Sequence, residues 1–378
     1  MLTGSPISAY VNPASLTHLQ GTQFSVGTMV TLPNFRFTEN SDTGVSTKMQ
    51  TQVLFPPNIC LTHTFPSGLG LGLTATIPFS SKTDWGVDWI GRNLIAGSEL
   101  RGLVFTPMLS FRATDALSFG IGINVTSFRY LRSSRLLLRH TMEPSGAEGT
   151  ERMEGNGTPA IGVQVGMMIV PNEVFSFGVA YRSRSTVSIE GGGVTYEWPA
   201  SLVPPSEWAT STFSTSLTLP DKIHAGMSIR PAAPLLLTGE LEFTRWSALG
   251  KQLVSVGIPT THFIVEQQDW SDVLGAHAGI ELLVGDLALR GGVMFNKSPV
   301  PDAQLRPSVL DANCTAYTAG VGYVIGEGLT LDVALQSLDY QDRTIAGSAV
   351  LSADGSPMNG TYEMSATLVG FNVSYSWK

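Results

Sequence analysis

One alternation recurs along the chain. In 117–130, Leu117, Phe119, Ile121, Ile123 and Val125 are apolar and interleave with Ser118, Gly120, Gly122, Asn124 and Thr126. Successive side chains of a strand point to opposite faces, so the segment predicts a strand with one greasy face and one face of small or polar groups. The same alternation marks 24–37, 58–65, 69–77, 101–112, 161–169, 175–181, 223–229, 235–243, 278–282, 287–295, 319–323, 329–335 and 369–377. Fourteen strands are thus predicted. Short turns join them at 66–68, 113–116, 171–173, 231–234, 284–286 and 326–328. Long connections lie between these turns, at 38–55, 79–98, 131–157, 183–214, 244–271, 296–312 and 342–360.

An even number of antiparallel strands, with six short turns at one end and seven long loops at the other, predicts an all-β transmembrane barrel of the bacterial outer-membrane type. Closure is required because an unpaired backbone group in lipid costs several kcal/mol, so a spanning sheet cannot keep an edge. Phe79, Phe111, Tyr181, Phe295, Tyr323 and Trp377 at strand ends fit an interfacial aromatic girdle. A soluble sandwich or propeller fits poorly, because its loops would not be long on one side only. Composition sharpens this picture. Only 14% of the 378 residues are charged, against roughly a quarter in soluble proteins, and no apolar run is long enough for a membrane helix. The 40 glycines are spread through the alternating segments, as a crowded lumen requires, and the net charge of −8 speaks against a nucleic-acid partner.

Little of the polar chemistry points to catalysis. The chain has no Gly-x-Ser-x-Gly elbow, no His-Glu-x-x-His, no P-loop and no metal-spaced cluster among its six histidines. A non-enzymatic protein without cofactor or metal is therefore expected. His224, Glu240, Glu242, Arg112, Arg182, Arg230, Glu281, Arg290 and Asp332 fall at inward parity and are read mainly as lumen charges paired across strands. Cys60 and Cys314 lie far apart and are expected to be unpaired. Residues 1–5, Met-Leu-Thr-Gly-Ser, have neither the basic region nor the apolar stretch of an export signal, so export would need a leader ahead of them or one already removed.

Several stretches taken together resemble the FadL/TodX-type outer-membrane transporters of long-chain fatty acids and other hydrophobic compounds. They are Ser8-Ala-Tyr-Val-Asn-Pro-Ala-Ser-Leu16; Ile77-Pro78-Phe79 with Trp85-Gly-Val-Asp-Trp89-Ile-Gly-Arg92; and Leu117 to Asn124. Leu289-Arg-Gly-Gly292 with Pro299-Val-Pro-Asp302, and Thr318 to Tyr323, complete the set. The resemblance implies passive transport and places Asn12, Pro13 and Ala14 in an N-terminal hatch inside the lumen. Residues 1–22 would form a plug shorter than the family's, and 23–378 the barrel. It also implies a monomer in the bacterial outer membrane, surrounded by membrane lipid and lipopolysaccharide and inserted by the barrel assembly machinery. The family's terminal phenylalanine is replaced by Trp377-Lys378, which is expected to weaken that last recognition. An aqueous porin and a structural or adhesive barrel are the alternatives; a hydrocarbon carrier needs apolar pockets where a porin keeps an open, wet lumen.

Three places are candidates for ligand contact. Leu136, Leu137 and Leu138, with Trp198, Leu202, Val203, Trp208 and Phe213, are too apolar for loops bathed in water and form either an outer capture groove or a lid. Pro78 has no N–H for the ladder, so it either ends the third strand or kinks it; in the family a kink in this strand opens a lateral gap. Near the top of the fifth strand, unbroken parity puts Phe128, Tyr130 and Arg132 inward and Arg129 outward. A bulge would return Phe128 and Tyr130 to the lipid face and make Arg129 the inward cation. The pocket reading is favoured, since two aromatics and a guanidinium beneath the outer loops suit a carboxylate headgroup, and the resemblance implies an inner ligand site at this level.

Overall fold

The computed structural model describes residues 5–41, 44–137, 147–200, 211–258, 260–352 and 355–377. Fourteen antiparallel staves close into one barrel. They are β1 Gly21–Glu39, β2 Pro57–Thr64, β3 Leu69–Asp84, β4 Gly97–Arg112, β5 Leu117–Leu137, β6 Glu148–Asn156 continued by Ala160–Ile169, and β7 Phe175–Arg182 continued by Ser185–Glu197. Next come β8, Thr212–Leu219 continued by Lys222–Ala232; β9, Leu235–Thr244 followed by Lys251–Ile258; and β10, Thr260–Gln267 followed by Val273–Val284. β11 Leu287–Asn296, β12 Cys314–Ile325, β13 Leu329–Tyr340 and β14 Gly360–Trp377 complete the wall. β14 pairs with β1 without a break from Trp377 opposite Thr22 to Gly360 opposite Glu39, so the sheet has no free edge at the seam.

The wall is inside-out relative to a soluble protein. Leu103, Phe105, Leu109, Phe111, Ile121 and Ile123 face outward and are 43–51% exposed, while Thr106, Ser110, Ser118 and Asn124 are buried in the lumen. Thr106 donates to the Asn124 side-chain oxygen at 2.9 Å, one inward polar group satisfying another between neighbouring staves. Cys60 and Cys314 are free and buried, as expected.

Three of the seven expected loops are largely strand. Segments 131–157, 183–214 and 244–271 contain the upper parts of β5 to β10, with Glu148–Asn156 pairing to β5 and Ser185–Glu197 pairing to Thr212–Leu219. The alternation reverses phase where these strands leave the bilayer. Val187, Ile189, Val194, Phe213, Val254 and Val256 are the buried, inward set, whereas Thr186, Glu190 and Thr195 face water. A search for apolar groups at lipid-facing parity therefore loses the strand just where it continues.

The outer mouth beside β1 and β14 is covered by other segments. Trp85, Trp89 and Ile95, Val300, Leu305 and Ala312, and Ile345, Val350 and Met358 converge on Phe37, Tyr362 and Met364. Trp85 stacks on Trp89 at 4.9 Å between ring centroids and donates its indole N–H to the Pro307 carbonyl at 3.0 Å. Arg343 ties two of these segments together, donating to the carbonyls of Val300 (2.9 Å) and Asp311 (3.0 Å) and to the Asp302 carboxylate.

Burial pushes the Asp311 carboxyl, on the loop before β12, up to about 6, despite a hydrogen bond from Ser298 at 2.8 Å. A folded-state value above the unfolded one means that the folded loop holds the proton more tightly. Its packing is strongest below the unfolded value of about 4 and weakens as pH rises through 6. Asp311→Asn is expected to remove that dependence and to stabilise the loop at neutral pH by about 2 kcal/mol. Amide exchange over 298–312 at pH 5 and pH 7.5 reads this out; equal pH dependence in the two proteins would contradict it.

Candidate ligand-binding site

Two features share the lumen. The lower one is the N-terminal segment, in which Pro6–Tyr10 and Pro13–His18 form single 3-10 turns, each started by a proline whose fixed φ suits the first turn. Asn12 caps the second turn by accepting from Ala14 N–H at 3.0 Å and also donates to the Met167 carbonyl of β6 at 3.1 Å. Thr17 bonds Ser118 at 2.8 Å, Thr64 donates to the Leu16 carbonyl at 2.7 Å, and Arg112 donates to the Thr17 carbonyl. Arg182 donates to the hydroxyl and carbonyl oxygens of Tyr10 and lies 4.0 Å from the centre of its ring. The wall makes room with missing side chains: a Cβ on Gly120 would lie 2.4 Å from Ala14 N, and one on Gly166 2.0 Å from the Asn12 side-chain oxygen.

The upper feature is a cavity of about 390 Å³. Phe128, 2% exposed, packs on Val187 and Leu219 with Phe79 and Leu100 beside them. Trp246, Leu249 and Trp270 form another side, and Pro78 to Ser81 of β3 line a third. Arg132, Lys222, Glu266, Gln252 and Gln268 supply polarity. Arg132 donates to the Leu94 carbonyl at 2.9 Å and approaches Glu266 at 3.4 Å, while Lys222 is engaged by Glu242 at 2.6 Å. The Nε atoms of Arg132 and of Arg306 are buried without a hydrogen-bond partner among the described residues. Buried N–H groups of that kind are costly unless something fills the role of acceptor.

Beside the cavity the wall thins. The β2–β3 ladder stops at Asn58 opposite Thr76, and the β3–β4 register shifts by one residue between Thr76 and Phe79, across Pro78. Proline both withholds an N–H and disfavours a regular ladder at this point. The edge is picked up again at the top, where Gln50 N–H donates to the Asp84 carbonyl at 2.8 Å.

A family model for outer membrane protein transport proteins (OMPP1/FadL/TodX) matches residues 4–377. The chain belongs to this family. The expected resemblance is therefore borne out, and with it the placement in the bacterial outer membrane. Similar proteins include a putative outer membrane protein of Neisseria meningitidis serogroup B, 24% identical over 98% of this chain and 89% of its own length. The long-chain fatty acid transport protein of Escherichia coli K12 is 20% identical over 97% and 87% respectively. Among solved structures, a Pseudomonas aeruginosa FadL homologue superposes with a TM-score of 0.86 at 15% identity, covering 100% of this chain and 95% of that one. The Ralstonia pickettii toluene transporter TbuX gives 0.70 at 16% identity, covering 98% and 94%.

Within this FadL-family barrel, the pairing of β5 with β4 keeps one register throughout, with no bulge. Phe128, Tyr130 and Arg132 consequently face the cavity, and Arg129 faces outward, 2.6 Å from Glu154. Phe213 is 1% exposed and lies 5.8 Å from the Tyr130 ring, in a cluster with Met153 and Ile189 beside the cavity. Leu136 and Trp198 are half-buried near the ends of β5 and β7, away from the cavity lining. Leu137 belongs to β5 by its backbone; Leu138, Leu202, Val203 and Trp208 lie outside the described residues. Asn12, Pro13 and Ala14 are buried against β5 and β6. Phe79, expected in the lipid-facing girdle, instead points inward opposite Gly102 and packs beside Phe128, and sequence reasoning missed Leu100, Val187, Leu219, Trp246, Trp270 and Glu266. The reversed phase of the alternation in Val187-x-Ile189 and Leu217-x-Leu219 was the available signal.

Proposed function

We propose that this outer-membrane transport protein passes hydrophobic molecules with a small anionic head, long-chain carboxylates above all, without an energy source of its own. The observation that carries this reading is the cavity between the outer loops and the N-terminal segment. It has an apolar wall around Phe128, the buried Arg132 guanidinium with an unpartnered Nε among the described residues, and Glu266 beside Arg132. A carboxylate bound there would meet charge-assisted donors in a dry site while its chain lies on the aromatics. The E. coli relative is named for long-chain fatty acid transport and the Ralstonia relative for toluene, so family members differ in the polar part of the cargo. The Arg132 guanidinium, with Lys222 on the same lining, favours the acid for this chain.

On this reading residues 6–18 act as the hatch: they block the straight route downward on the β2 to β6 side, which supports a carrier over an open porin. The cargo leaves sideways, past Pro78, where β3 has lost its β2 partner and its regular register with β4. Leu136 to Leu138, Trp198, Leu202 and Trp208 remain candidates for first capture at the outer surface. Arg132→Gln is expected to weaken binding of a long-chain fatty acid by about tenfold to a hundredfold, the worth of a buried charge-assisted hydrogen bond. Affinity for an uncharged alkane of equal length should stay nearly unchanged. Titration of both ligands in detergent, with heat-modified electrophoretic mobility as the check on folding, decides; equal losses for the two would sink the headgroup role.

A further inference from the structure

The outward face of the barrel carries an unexplained concentration of positive charge. Arg101 of β4 and Arg129 of β5 are directly opposed across the ladder. Both are about half exposed, at 48% and 51%. Like charges in such a pair, with Cβ atoms roughly 5 Å apart, are destabilising unless something lies between them. Each arginine reaches toward a carboxylate nearer the loops, Arg101 to Glu99 at 2.7 Å and Arg129 to Glu154 at 2.6 Å. Those carboxylates are shared, Glu99 with Lys82 at 3.7 Å and Glu154 with Arg152 at 3.1 Å. Four cations thus surround two carboxylates, in a chain whose net charge is −8. The height of the cluster matters as much as its charge. Leu103, 48% exposed, is the last apolar residue of the outward face of β4, and Arg101 follows it by two positions, about 7 Å along the strand. The arginine pair therefore sits where the hydrocarbon ends and the headgroups of the outer leaflet begin.

We propose that Arg101 and Arg129 form a binding site on the lipid-facing wall for a phosphate of an outer-leaflet phosphoglycolipid, flanked by Lys82 and Arg152. Guanidinium groups bind phosphate oxygens bidentately, and a dianion between the two arginines turns a repulsive cross-strand pair into a bridged one. The acyl chains of the same lipid lie on Leu103 and Phe105 below, so the lipid is held at both ends. The carboxylates above keep the arginine heads extended when no lipid is present.

The full chain in lipid-free detergent is the sample, and the thermal midpoint of unfolding with and without added ligand is the readout. Bis-phosphorylated lipid A is expected to raise the midpoint of the unmodified protein and to be retained in native mass spectra. The Arg101→Gln/Arg129→Gln variant should lose both effects. Arg36→Gln, which removes an exposed cation paired with Glu363 at 3.9 Å on another part of the wall, should keep them. Without lipid, the double variant should unfold no earlier than the unmodified protein, because a like-charge pair has been removed. Equal retention of lipid A by the double variant, an equal shift from dephosphorylated lipid A, or the same shift from inorganic phosphate alone would overturn the assignment.

Discussion

Deleting Pro78 is expected to stop transport while leaving ligand binding in place. The β3–β4 ladder pairs Thr76 with Val104 and then Phe79 with Gly102, one residue too many on the β3 side. Removing Pro78 places Ile77 opposite Leu103 and keeps Phe79 opposite Gly102, so outward and inward parities above and below the deletion agree. The straightened strand gains ladder hydrogen bonds, each worth about 1 kcal/mol, so the barrel is expected to be no less stable. The cavity keeps Phe128, Tyr130 and Arg132, which lie on β5. Fatty-acid affinity in detergent should then change less than threefold, about 0.7 kcal/mol, while uptake into cells relying on this protein falls to background. Undiminished uptake by the deletion variant would show that cargo leaves by another path.

Gly120→Val is expected to have the opposite kind of effect, opening the barrel to water. The added Cβ alone would stand 2.4 Å from Ala14 N and from the Pro13 carbonyl carbon, a contact that only movement of the N-terminal segment can relieve. The strand itself tolerates valine, whose branched side chain suits extended backbone. Overpacking of this kind costs about 1–3 kcal/mol, and displacement also forfeits the bonds from Asn12 to Met167 and from Thr17 to Ser118. In planar bilayers the variant should show a much larger conductance to small ions than the unmodified barrel, with unaltered assembly. A conductance equal to that of the unmodified protein would mean that residues 6–18 do not seal the lumen.

What could be read from the chain divides at the membrane surface. Within the bilayer, each outward position must be apolar and each inward one small or polar, so Leu117 to Thr126 reveals both the strand and its facing. Above it the solvent outside is water and the cavity inside is greasy; Val187, Ile189 and Phe213 then point inward and Glu154 and Thr195 outward. A rule tuned to one solvent inverts in the other, which is why upper β6, β7 and β8 read as loops. Phe128, Tyr130 and Arg132 were legible because β5 crosses the boundary in one register and the parity can be carried upward. Trp246 and Trp270 were not, since they reach the cavity from connections whose course no periodicity describes, and Glu266 was not, since it sits in upper β10, one of the stretches that read as loop.

The seam between β1 and β14 bears on the order in which this molecule is made. Each stave from β2 to β14 pairs with the one that precedes it in the chain, but the second edge of β1 must wait for β14, the last of them. Until then both carry unpaired backbone groups, the kind of edge that recruits other strands. Bringing such distant segments together is also the slowest sort of contact, because loop entropy must be overcome before any bond forms. Substitutions that weaken pairing near Val26 and Val373 should therefore show themselves as delayed closure and aggregation during biogenesis, even where the finished barrel tolerates them.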